Sequence, residues 1–357
     1  MKKFKLKNKF FYNNFIKTTG LSFVLIFAFS LLPPASNFIT KNFFFEKSTL
    51  SNAGFNFDII ILQKSLEELR KSENIEQNKN QVYADIGLST NDKDIEDAPR
   101  FTAVRITKLF KEEGYTLDDV RKKKIVNIGL SIARLPEEIK NFQNVKKKKD
   151  LFIQIVLPLI LEENARIKFD RIKLFSILNK KYNSERDKKW LIQKLDQYAV
   201  KNNDLSTLKI RMDEVPVSLA LAQAAKETGW GTSRFAQEGN ALFGQWTWIG
   251  EGIKPSKADK DTTHKVAKFK ILKSSVKAYL RNLNTHKSYS EFRKERAIQR
   301  DNDENLDSLL LANYLHKYAE TGFDYVVIIK KIIQQNSLTD FDDVKILPTS
   351  LKLKKLI

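Results

Sequence analysis

The residues with the strongest claim to chemistry lie between positions 215 and 252. Six of the twelve glycines (Gly229, Gly231, Gly239, Gly244, Gly250 and Gly252) fall there, with three of the four tryptophans, Trp230, Trp246 and Trp248. Glycine lets a backbone turn tightly or approach a ligand closely. Exposed indole rings offer flat apolar platforms suited to the faces of sugar rings. A packed core can use the same residues, but their concentration points first to a binding cleft. Directly ahead runs Val215-Pro216-Val217-Ser218-Leu219-Ala220-Leu221-Ala222-Gln223-Ala224-Ala225-Lys226-Glu227-Thr228-Gly229. Pro216 suits a first helical turn, the alanines favour a closely packed helix, and Gly229 suits its carboxyl cap. Three and seven residues before Glu227 stand Ala224 and Ala220, so the helix face beneath that carboxylate is small and should be buried. Glu227 falls in the last turn, where the helix dipole disfavours its charge, and partial burial acts in the same direction. Both effects raise its pKa, as a general acid for a glycosidic oxygen requires. The same residue could equally be an ordinary surface glutamate beside Lys226, and physics alone leaves the two readings level.

The elements that must hold this segment are mostly helical. From about Lys148 to Leu178, apolar Leu151, Ile155, Leu159, Ile160 and Leu174 alternate with Glu162, Glu163, Arg166 and Lys168. Pro158 sits inside that run, which predicts a kink or two abutting helices. Trp190–Tyr198 reads as a further helix, residues 103–112 and 117–125 as short helical or extended pieces, and the alternation over His264–Ile271 as a strand. Residues 36–98 are mixed and polar, with one helical segment near Ile59–Arg70, and read as a tether that is helical in part. No internal repeat is visible, and the tail after Gln335 ends in a basic-apolar stretch.

Composition removes several classes of chemistry. The chain of 357 residues is 42% hydrophobic and 30% charged, enough apolar material for a core. With no cysteine, disulfides, zinc-thiolate sites and cysteine nucleophiles are excluded. The three histidines, His264, His286 and His316, form no close ligand pair, so no metal or other cofactor is expected. A net charge of +20 suits an anionic partner such as an acidic lipid or cell-wall polymer. It could also reflect only solvated lysine-rich helix faces. The basic runs lack the glycine and aromatic interleaving of nucleic-acid motifs, so nucleic acid is not an expected partner.

Residues 1–35 carry six lysines and no acid, then the apolar run Leu21–Leu32, then Pro33, Pro34 and Ala35. A positive flank, a short apolar core and a small residue form the layout of a secretory signal. Twelve helical residues reach roughly 18 Å, short of the ~30 Å hydrocarbon layer, and Pro33 sits where a small residue would suit cleavage. Both a cleaved signal and an uncleaved inner-membrane anchor stay open. Either reading predicts a periplasmic or cell-envelope protein.

Ala225-Lys226-Glu227-Thr228-Gly229-Trp230-Gly231-Thr232-Ser233, followed by Glu238-Gly239-Asn240-Ala241-Leu242-Phe243-Gly244-Gln245-Trp246, resembles the bacterial Bax-type glucosaminidase family. The catalytic half of that family is similar to glycoside hydrolase family 73. The resemblance extends upstream through Lys149-Asp150-Leu151-Phe152 and Leu157-Pro158-Leu159-Ile160-Leu161. Downstream it takes in Asn282-Leu283-Asn284-Thr285-His286 and Tyr318-Ala319, and in all it spans about residues 127–335. It implies Glu227 as the catalytic acid and Tyr318 as a tyrosine near the cleaved bond, with Tyr325 a second candidate. It implies a cleft-wall turn of Asn240, Leu242, Phe243 and Gly244, in which Phe243 could equally be packing. Gln245, Trp246 and Trp248 become candidate sugar contacts. Relatives place a second acid on a hairpin before a strand that here reads Val266-Ala267-Lys268-Phe269. This chain offers Asp259 and Asp261, with no glutamate between Glu251 and that strand. Attack by the substrate's own N-acetyl group is the alternative to either aspartate.

The fold implied is mainly α: a lysozyme-like catalytic domain with a small β-hairpin lobe, preceded by a helical region and the export signal or anchor. The expected organisation is 1–35 signal or anchor, 36–98 tether, 99–200 helical region, 201–337 catalytic domain and 338–357 tail. The expected reaction is hydrolysis of the β-1,4 bond after N-acetylglucosamine in peptidoglycan strands. Its rivals are a lytic transglycosylase or muramidase acting on the same polymer, and a non-catalytic wall-binding protein.

Overall fold

The computed structural model describes residues 52–75, 99–247, 252–253, 265–302 and 305–347. Residues 1–35, read as a signal or anchor, most of the segment read as a tether, Trp248, Asp259 and Asp261 lie outside the described residues. The chain divides into Met1–Ile60 and Ile61–Ile357. Of the first unit only the opening of one helix, Asn52–Ser72, is described, and the account below concerns the second. The architecture is mainly helical. Among the described residues no helix is long and apolar enough to cross a membrane.

Val145–Leu178 is a single helix of 34 residues, buried through its middle from Leu151 to Leu161 except for a half-buried Gln154. Of the outcomes expected at Pro158, the split into two helices does not occur. Proline cannot donate to the carbonyl four residues back, that of Gln154. The Tyr115 hydroxyl donates to this carbonyl instead, at 3.1 Å, and Gln154 Nε2 donates to the Tyr115 carbonyl at 3.1 Å. A side chain from another segment thus supplies the hydrogen bond the proline withholds.

Against this helix lies Val217–Thr228, the central element of the body. Every residue from Val217 to Ala225 is buried, as is Thr228. A helix apolar on all sides must be enclosed on all sides, and this one is, by Val145–Leu178, Ser308–Ala312, Phe323–Gln335 and the 3-10 turn Leu338–Phe341. Its start is pinned twice. Asn164 of the long helix reads both backbone groups of Val215, donating to the carbonyl at 2.7 Å and accepting from the N–H at 3.2 Å. Asp342 accepts the Ser218 N–H at 2.8 Å and the Ser218 hydroxyl at 2.7 Å.

The boundaries expected from the sequence cut through this body. Arg100 bonds the Leu135 carbonyl, and both the backbone and side-chain oxygens of Gln237, joining the helical region to the catalytic one. The segment read as a tail is built in: Leu338 and Phe341 are fully buried. Beyond them β5 (Lys345–Ile346) pairs in parallel with β1 (Ile125–Val126). Part of the segment read as a tether is also docked. Leu66 is fully buried, and Arg70 pairs with Asp196 at 2.6 Å and bonds Asn203.

The described residues include a three-stranded antiparallel sheet in the order β2 (Trp246–Thr247), β4 (Lys265–Ala267), β3 (Gly252–Ile253). Of the stretch 264–271 read as a strand, Lys265–Ala267 forms the sheet's central member. A small core of Ala241, Val266, Ala267, Phe269 and Ala278 seats it on the helix Leu272–Thr285.

Candidate active site

Glu227 stands in the last turn of the central helix, half-buried beside an exposed Lys226 in a helix otherwise buried. Gly229 closes that helix with φ +57, its N–H bonded to the Ala225 carbonyl. A left-handed residue there costs glycine nothing sterically. The Thr228 hydroxyl donates to the Ala224 carbonyl and accepts the Gly231 N–H, so the chain leaves at a fixed angle. It returns through the turn at Phe243-Gly244, which lies against the carboxylate. A Cβ at Gly244, where φ is +59, would stand 3.1 Å from Glu227 Oε2. A side chain there would press on the carboxylate.

Aromatic rings wall the rest. Phe243 stacks flat on Tyr279 at 3.8 Å between centroids. Tyr318 stacks on Tyr325 at 5.4 Å and meets Tyr279 and Tyr289 at 6.4 and 6.1 Å. The Tyr318 hydroxyl donates to the Phe243 carbonyl at 2.8 Å and so locks the glycine turn. Tyr325 lies beside Glu227 and draws its carboxyl down. Beneath them Tyr279 donates to Gln223 Oε1 at 2.6 Å, and Gln223 Nε2 donates to the Tyr325 oxygen at 3.0 Å.

Burial pushes the Glu227 carboxyl above the ordinary carboxylate range, prevailing over Tyr325 and Lys226, which both lower it. Burial also drives the Tyr279, Tyr318 and Tyr325 phenols well up, and Tyr289 up to about 12. The four phenols therefore keep their protons at neutral pH and serve as neutral donors and acceptors. The group among them able to give a proton and take it back is Glu227.

Of the residues singled out in the sequence, the structure brings together Glu227, Tyr318, Tyr325, Phe243 and Gly244. Tyr325, ranked second, is the tyrosine that draws the carboxyl down, whereas Tyr318 bonds the backbone of the facing turn. Phe243 is buried packing against Tyr279. The Asn240 side chain turns inward, fully buried, its amide donating to the Phe269 and Lys270 carbonyls at 2.9 and 3.2 Å. With φ +51 it shapes the turn into the sheet and does not present its amide to the cleft. Gln245 is half-buried, and its Oε1 has no hydrogen-bond partner among the described residues. Trp246 lies on β2 opposite Val266. Trp230 packs edge-on to Phe152 with the Lys149 ammonium over its ring. Sequence reasoning missed Gln223, Tyr279 and Tyr289. Gln223 did leave a signal, as an uncharged polar residue one turn before Glu227 in a run of alanine and leucine.

A carboxyl raised by burial at the end of a buried helix thus faces the Gly244 backbone and a wall of phenols. A family model described as mannosyl-glycoprotein endo-beta-N-acetylglucosaminidase matches residues 206–338, which take in the Glu227 helix, the sheet and the tyrosine wall. The chain is also similar to "Protein bax" of Escherichia coli (strain K12), with 31% identity over 210 residues, 57% of this chain and 75% of that protein. No solved structure matches it. The chain belongs to the Bax-type glucosaminidase family, a family of glycan hydrolases.

Proposed function

We propose that this protein is a cell-envelope hydrolase that cleaves the β-1,4 bond after N-acetylglucosamine in peptidoglycan, with Glu227 as its general acid. The observation that carries the reading is the carboxyl of Glu227, raised by burial and set against the Gly244 turn beside Tyr325. The acid's proton passes to the glycosidic oxygen as the bond from the anomeric carbon to that oxygen breaks. The leaving sugar departs as an alcohol, and Glu227, now ionised, takes a proton from the incoming water. Tyr325 supplies a hydrogen bond to the carboxylate while it is ionised, and the turn leaves room for a sugar ring to approach. The excess of positive charge favours approach to an anionic wall polymer. The basic and apolar segment at 1–35 is read as the export signal or inner-membrane anchor.

The second group is Asp259 or Asp261, ahead of β4 in the sequence, or the N-acetyl group of the substrate itself. Substrate assistance predicts that Asp259→Asn and Asp261→Asn each retain far more activity than Glu227→Gln.

The test is digestion of purified peptidoglycan by the full chain, with the new ends identified by mass spectrometry. Reducing N-acetylglucosamine ends that vanish in Glu227→Gln are expected. Anhydro-N-acetylmuramic acid ends would replace the proposal with a lytic transglycosylase, and reducing N-acetylmuramic acid ends with a muramidase. An intact wild-type digest, with wild type and Glu227→Gln binding the wall alike, would leave a non-catalytic wall-binding protein.

A further inference from the structure

The polar contacts beneath Glu227 run in one direction. Tyr279, fully buried, gives its hydroxyl proton to Gln223 Oε1. Gln223, also fully buried and one helical turn before Glu227, gives an Nε2 proton to the Tyr325 oxygen. An amide oxygen only accepts and an amide nitrogen only donates. With its oxygen engaged by Tyr279, the amide can offer Tyr325 nothing but an N–H. The Tyr325 oxygen must then turn a lone pair toward Gln223, which leaves its own proton free to face Glu227 beside it. Leucine or methionine would fill the same space in this run but could not impose that direction.

We propose that Gln223 is a positioning residue that aims the Tyr325 hydroxyl proton at the Glu227 carboxyl, tying one carboxyl oxygen and leaving the other to carry the transferable proton. The inference rests on the reading of Glu227 as the acid but concerns a group that reading does not use. Buried polar side chains are almost always partnered, and here the partners form an ordered chain of three. When Gln223 Nε2 is removed, the Tyr325 oxygen has a free lone pair and can accept from a protonated Glu227, while its own proton can turn away. Both changes favour the protonated carboxyl.

The experiment is a titration of the Glu227 side-chain carboxyl by carbon-13 NMR in the full chain, assigned with Glu227→Gln, beside the pH dependence of peptidoglycan cleavage. Gln223→Met conserves volume and removes both hydrogen-bonding ends. It should raise the midpoint by about half a pH unit or more, and Tyr325→Phe, which removes the whole bond, by about one to two. In the Tyr325→Phe background Gln223→Met should add nothing, because the two act through one hydroxyl. The falling limb of kcat should move up in pH by the same amount with KM little changed. A wild-type midpoint in Gln223→Met, or an equal further rise in the Tyr325→Phe background, would overturn the proposal. Should Gln223→Met fail to fold, Gln223→Asn, one methylene shorter, breaks the same chain and is judged by the same two results. If the wild type cleaves no peptidoglycan while these midpoints move as expected, the assigned activity fails and the positioning role stands.

Discussion

The seat of Glu227 depends on a missing side chain, and Gly244→Ala tests that dependence. The new methyl would sit 3.1 Å from Glu227 Oε2, some tenths of an ångström inside ordinary contact. The turn cannot easily yield, because Tyr318 holds the Phe243 carbonyl at 2.8 Å and Phe243 lies flat on Tyr279. The carboxyl must therefore move, away from its place beside Tyr325. Two costs follow. The left-handed backbone, with φ +59, costs alanine about 1 kcal/mol relative to glycine. That lowers Tm by about 2–4 °C in a body of this size. Displacement of the acid should reduce kcat by about tenfold to a hundredfold, since a misplacement of about 1 Å can cost a hundredfold. Gly114→Ala is the control. Gly114 has φ +63, but nothing lies within 4 Å of the position of its Cβ, so it carries the backbone cost alone. Initial rates on peptidoglycan and thermal melts of both variants separate the two costs. If Gly244→Ala lost no more activity than Gly114→Ala at a similar Tm, the glycine turn would not seat the carboxyl and the reasoning would be wrong.

Further outcomes follow from the same geometry. Glu227→Gln should lose about 10²- to 10⁴-fold in kcat. Because burial favours the neutral form of Glu227, its melting temperature near pH 7 should equal or exceed that of the wild type. Burial pushes the Asp342 carboxyl up from 3.8 to about 6. Between those values the folded chain binds the proton that the unfolded chain has released, so this group's contribution falls as pH rises, by about 3 kcal/mol at most. Asp342→Asn should flatten that part of the stability profile, measured by denaturant unfolding from pH 4 to 7, and an unchanged slope would refute the assignment. Tyr115→Phe leaves the Gln154 carbonyl without its donor beside Pro158 and should cost about 1–3 kcal/mol in the same unfolding measurement. An unaltered midpoint would show that the proline needs no such compensation.

What could be read from the sequence was local. The central helix was legible because its start, small-residue face and glycine stop are all written within fifteen consecutive residues, Val215–Gly229. Glu227 was legible with it, since its place in the last turn follows from the stop. The wall around the carboxyl was not, because Tyr279 and Tyr325 arrive from two later helices, Tyr289 from a 3-10 turn and Tyr318 from a bend, and their meeting is a matter of tertiary packing. Asn240 misled for a related reason. It lies in a glycine-rich turn that does face the sheet, but the turn is held by the amide itself, whose hydrogen bonds run inward to Phe269 and Lys270. The segment 338–347 gave no periodicity because it is a single 3-10 turn and a two-residue strand.

One class of signal was present and unused. Between Val217 and Ala225 the helix carries two polar side chains, Ser218 and Gln223, and both are fully buried. A buried polar group left without a partner costs about 1–3 kcal/mol, so each of these positions demands a partner from another part of the chain. Ser218 finds Asp342 at the foot of the helix, and Gln223 finds Tyr279 and Tyr325 near its head. The two polar interruptions of the apolar run thus mark the two places where its position is specified, by the closing turn below and by the tyrosines of the site above. Apolar packing alone would tolerate small slides and rotations of this helix. Hydrogen bonds at both ends do not, and a carboxyl that must meet a sugar oxygen within a few tenths of an ångström needs that restriction.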